Sequence, residues 1–89
     1  MDFRKLAKEY IKEAIELLKN TVQINSILDS STITKETPFG KGINDCLEYF
    51  LSVAEKDGFD VLNDEGYAGR VTLKGTSDES IAVLGHLDV

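Results

Sequence analysis

His86 is the only histidine of the 89-residue chain, and Asp88 follows it in Gly85-His86-Leu87-Asp88-Val89. In extended backbone, residues i and i+2 point to the same side, about 6.5–7 Å apart along the chain. The imidazole and the carboxylate therefore project together, with Leu87 opposite. The preceding run, Ser80-Ile81-Ala82-Val83-Leu84, is apolar at consecutive positions, as in a central strand of an α/β sheet buried on both faces. Sites in open α/β sheets lie outside the carboxyl ends of the strands, and a histidine beside a carboxylate there suits a metal ligand with its orienting partner. The bland alternative is a strand-end histidine next to a solvated aspartate. A bare H-x-D pattern does not choose between them.

Other residues offer less. The single cysteine, Cys46, lies on an apolar helical stripe and reads as a buried, inert thiol. One cysteine and one histidine cannot complete a zinc site from nitrogen and sulfur ligands. Gly40-Lys41-Gly42 precedes a helix, where an anion can bind, but the G-x-x-x-x-G-K-[ST] spacing of a phosphate loop is missing. Asp57, Asp60, Asp64 and Glu65 cluster near a turn without calcium-loop spacing and read as a solvated acidic edge. Tyr67 and Arg70 read as packing and surface residues.

Sixteen acidic against ten basic residues give a net charge of -6. This argues against nucleic acid or an anionic membrane surface as partner, since both demand a basic footprint. No apolar run approaches the roughly 20 residues a bilayer requires, and the N-terminus shows no apolar stretch of secretory type. A lone cysteine forms no internal disulfide, so a reducing cytoplasm is the expected setting. With 42% hydrophobic and 29% charged residues the composition is that of a globular protein, and the length suits one small core rather than two domains.

The elements that must place His86 and Asp88 follow from periodicity. From Phe3, apolar residues at Leu6, Ala7, Tyr10, Ile11, Ala14, Ile15, Leu17 and Leu18 predict an amphipathic helix packed on a sheet, capped by Asp2 and ending near Asn20. Lys5–Glu9 and Lys12–Glu16 are candidate ion pairs on its solvated side. Residues 21–41 are rich in turn formers and predict a long irregular connection with one short extended piece. A second helix is expected from Gly42 or Ile43 to Asp57, with Ile43, Cys46, Leu47, Phe50, Leu51 and Ala54 inward and Gly58 closing it. Three strands are expected: Phe59–Asn63; Tyr67–Lys74, with Val71 and Leu73 on a buried face; and the two-sided Ser80–His86. Asp64-Glu65-Gly66 is read as the turn between the first two. Two helices and two strands barely cover a two-sided strand, so the chain reads as the opening of a larger α/β domain, cut after its first central strand.

Val83-Leu84-Gly85-His86-Leu87-Asp88-Val89 resembles the first metal-binding segment of the co-catalytic zinc peptidases related to aminoacylase and carnosinase. Upstream, Pro38-Phe39-Gly40-Lys41-Gly42, Ala54-Glu55-Lys56-Asp57-Gly58-Phe59 and Tyr67-Ala68-Gly69-Arg70-Val71 are similar in order and spacing to the PepV-like, Xaa-His dipeptidase branch of that family. The likeness covers residues 38–89 well and the N-terminal helix loosely.

The resemblance implies that residues 1–89 are the N-terminal portion of one metallopeptidase catalytic domain with a mixed sheet between helices. It implies that His86 ligates one of two zinc ions and that Asp88 is an active-site residue positioning it. The family's bridging aspartate, general-base glutamate, further carboxylate ligands and second histidine have no counterpart in the chain. The implied reaction is hydrolysis of a dipeptide or short peptide by a metal-activated water, with the 89 residues inactive alone and, through their uncovered strand, self-associating. The alternative is a non-catalytic small binding or assembly module.

Overall fold

A computed structural model describes residues 1–89. Helix α1 runs Phe3–Val22, a single 3-10 turn occupies Ser30–Thr32, helix α2 runs Lys41–Lys56, and strands β1 (Asp60–Asp64) and β2 (Ala68–Thr72) form an antiparallel pair. The architecture is α/β, with α2 laid on a two-stranded sheet. No helix is long and apolar enough to cross a membrane.

Each helix begins where its sequence supplies partners for the free amides of the first turn. Asp2 accepts from the backbone N–H groups of Arg4 and Lys5, as expected of an N-cap. Gly40 precedes α2 at φ 101° and contributes no side-chain cap. The Lys41 amide donates instead to Thr32 Oγ1 at 2.9 Å, across the connection. Asp29 caps the 3-10 turn through Ser31 N, so the ordered piece in this connection is helical, not extended. The Thr34 and Thr37 backbones bond each other, reinforced by their hydroxyls. Gly58 closes α2 at φ 91°, the left-handed role its position predicts.

Between the strands, Glu65 (φ 53°) and Gly66 (φ 80°) make the turn, and Asn63 Oδ1 accepts from the Gly66 amide at 2.8 Å. A side chain on Gly66 would collide with the Glu36 carbonyl, so the turn is pressed against the connection as well.

The core is small. Cys46, Leu47, Leu51 and Ala54, all on one face of α2, are its buried apolar members. They meet the sheet at Gly69, where a Cβ would lie 2.7 Å from a Leu47 methyl. The lack of a side chain there lets the helix approach. Phe50, expected inside, is half exposed, because it lies on the edge of the stripe with no sheet beyond it.

Further expectations require correction. The apolar stripe of α1 is not covered: Phe3, Tyr10, Ile11, Ile15 and Leu18 are exposed, because α2 occupies the two-stranded sheet and α1 touches α2 only slightly. The charge pairing differs too, with Lys19 reaching Glu16 at 3.4 Å and neither Lys5–Glu9 nor Lys12–Glu16 formed. Finally, Ser80–His86 is not a strand; Ile81 is 97% and Leu84 95% exposed. A strand exists only where a neighbour completes its hydrogen bonds, and β1 pairs only with β2. Val71 and Leu73, expected on a buried face, are likewise exposed, Leu73 lying beyond the end of β2.

Candidate functional site

Within this tail, His86 and Asp88 do come together. His86 Nδ1 lies 3.1 Å from Asp88 Oδ1 and 3.0 Å from the Asp88 carbonyl oxygen. A carbonyl has no proton to give, so Nδ1 is the donor in this contact, and in the neutral ring the lone pair then sits on Nε2. The imidazole is 84% exposed and the carboxylate more than half exposed. Solvent therefore screens their attraction, and the contact orients the ring more than it stabilises the fold.

Leu87 is half-buried, unlike the residues before it. The Val89 amide donates to the Ser26 carbonyl at 3.2 Å. Ser26 is itself buried, near the start of the connection leaving α1. No periodic or turn signal in Gln23-Ile24-Asn25-Ser26 announces this contact, and sequence reasoning missed it.

The free Nε2 fits one position in a zinc coordination shell, and Asp88 fits the outer partner that fixes the tautomer. No group of three or more His, Cys, Asp or Glu side chains converges anywhere in the chain. These residues therefore supply one ligand, where a catalytic zinc takes three from protein.

The remaining candidates are structural. Lys41 Nζ pairs with Asp45 Oδ2 at 2.6 Å, and that hydrogen bond with its attendant charge raises the lysine above its ordinary value. With the Lys41 amide already given to Thr32, the Gly40-Lys41-Gly42 turn keeps neither a free lysine charge nor a free first amide for an anion. Asp57, Asp60, Asp64 and Glu65 are exposed, as a solvated acidic edge should be. Tyr67 stacks edge-on against Phe39, with centroids 5.6 Å apart and planes at 88°, a packing role. Cys46 is fully buried, and desolvation pushes its thiol up.

The chain is thus an α/β unit holding one oriented imidazole–carboxylate pair, with no family model matching its sequence. Its relatives are dipeptidases. It is 38% identical over 89 residues to a Beta-Ala-Xaa dipeptidase of Lactobacillus delbrueckii subsp. lactis, covering 100% of this chain and 19% of that protein. It is 38% identical over 84 residues to "Putative dipeptidase YtjP" of Bacillus subtilis, covering 91% of this chain and 18% of that one. To "Putative dipeptidase SH1171" of Staphylococcus haemolyticus it is 34% identical over 87 residues, 98% of this chain and 18% of the other. The likeness read in residues 38–89 therefore extends through α1, and the chain is homologous to these dipeptidases along its whole length. It spans about a fifth of the length of the curated relatives it matches.

Proposed function

We propose that residues 1–89 form the opening part of the catalytic domain of a cytoplasmic, zinc-dependent dipeptidase. What supports the reading is one feature of the tail: His86 Nδ1 lies 3.1 Å from Asp88 Oδ1, a contact in which the neutral ring donates from Nδ1 and keeps its lone pair on Nε2, in a chain whose relatives are dipeptidases. In this reading His86 holds one zinc and Asp88 fixes its tautomer and raises its basicity. The chemistry that a pair of zinc ions supplies when bound is activation of a water toward a peptide carbonyl. The substrates are dipeptides or short peptides, whose recognition lies in parts of the domain other than these 89 residues. Alone, the chain has one imidazole, hydrolyses no dipeptide, and associates through its uncovered apolar surfaces.

The reading frame beyond the Val89 codon tests this directly. Continuation into a bridging aspartate and a Glu-Glu pair is expected. A stop codon directly after Val89 would overturn the enzyme reading in favour of a small binding or assembly module.

A further inference from the structure

We propose that the end of α1 and the start of the connection after it, residues Val22–Ser26, form a seat that aims the His86–Asp88 pair. What the aimed pair does rests on the dipeptidase reading above; that it is aimed does not.

From Leu73 onward the chain has no helix or strand, and its apolar residues Ile81, Val83 and Leu84 lie almost fully in solvent. Contact with the body returns at Leu87, whose side chain is half-buried, and at the Val89 backbone amide; Val89 as a whole is 86% exposed. The two residues share a cleft of about 330 Å³ with Val22, Ile24 and Ser26. The Val89 N–H bonds the Ser26 carbonyl at the same place, and Ser26 is 4% exposed in a chain that buries few residues. With Leu87 half-buried in that cleft and the Val89 amide bonded, the His86 side chain is left 84% and that of Asp88 57% exposed, outward together.

The seat is held from behind as well. A side chain on Gly42 would overlap the Asn25 carbonyl, so the first turn of α2 presses directly on the seat's backbone. The position of the pair is thereby referred to α2, the helix carrying the buried core. Leu87 and Ile24 are positioning residues. Neither has chemistry of its own.

The test uses the isotope-labelled 89-residue chain in solution. Exchange of the Val89 amide should be about fivefold slower than its sequence-corrected free rate, the weight of one net hydrogen bond, while Ile81 exchanges freely. Nuclear Overhauser contacts should join the Leu87 methyls to Ile24 or Val22. Leu87→Asp should abolish both signals and leave α2 and the β1–β2 pair unchanged. It should also move the nitrogen shifts of the neutral His86 ring toward the Nε2-protonated tautomer, which a purely structural role for Leu87 would not do. A freely exchanging Val89 amide in the natural chain, or protection indifferent to Leu87→Asp, would overturn the seat. A protein that completes the zinc site separates the two readings. Full zinc content there after His86→Ala speaks against the metal reading and leaves the seat standing.

Discussion

Asp88 has two acceptor atoms near one imidazole nitrogen, and this makes its role testable by a conservative change. Asn keeps the shape but not the charge. In a protein that completes the zinc site, Asp88→Asn should lower turnover by about 10–100-fold with the metal retained. His86→Ala removes a ligand, so it should cost more and lower the metal content. Metal analysis beside the turnover assay checks both, and an Asn variant within twofold of the natural enzyme at full zinc loading would remove Asp88 from the catalytic set. Cys46 gives a second prediction. Its thiol is raised by burial, so the folded state favours the protonated form. That contribution is complete below the ordinary thiol range and is lost as pH rises through it, because the unfolded thiol ionises first. Thermal stability should fall at alkaline pH, and Cys46→Ala should reduce the dependence that appears before Lys41, raised by Asp45, begins to titrate.

The secondary structure rests on a few local signals of unequal strength. Asp2→Ala should cost about 1 kcal/mol in the stability of α1, the usual value of an N-cap, read as a loss of helical circular dichroism. Leu51→Ala should cost about 2–5 kcal/mol, enough to unfold a core this small. Two glycine replacements should separate sharply. At Gly69 the obstruction is the ends of the Leu47 and Leu51 side chains, which can turn aside, whereas at Gly42 it is the Asn25 backbone. Gly42→Ala should therefore destabilise far more than Gly69→Ala in parallel denaturant titrations. Both helices and the turn at Glu65-Gly66 could be read from sequence, because capping, helical period and turn chemistry act between near neighbours, and the pairing of His86 with Asp88 because a two-residue spacing keeps the side chains within reach. The third strand could not, since Ser80–His86 carries the pattern of a buried strand but pairing requires a partner that the pattern does not name. The seat at Ser26 escaped for a related reason: it is made by a backbone carbonyl, and any residue type would provide one.

Taken as a whole, the molecule is loose for its length. Its radius of gyration is 15.2 Å, where a compact chain of this size would have about 12 Å. The difference lies in α1, which stands off the sheet with its stripe exposed, and in the extended tail. Seven of 89 residues are buried, too few to offset the ordering of both parts. Sedimentation should accordingly show association that grows with concentration. A sharp monomer with a steep, cooperative melt would contradict this. The exposed stripe of α1 and the apolar run Ile81–Leu84 are the surfaces expected to be covered on association, and a charge introduced at Ile15 or Val83 should weaken it.

The bond from Val89 to Ser26 also fixes a timescale. Residues beyond Thr72 are tethered at one end to β2, so a tail that leaves its seat does not diffuse away. It searches at an effective concentration of about millimolar order. Chain segments of about ten residues close in roughly 10–100 ns, and a tether somewhat longer than that still reseats far faster than an exposed amide trades its proton with water. Exchange at Val89 will therefore report how often the tail is off its seat, not how quickly it departs. The orientation of His86 is correspondingly a population, renewed many times in the interval between any two slower events at the site.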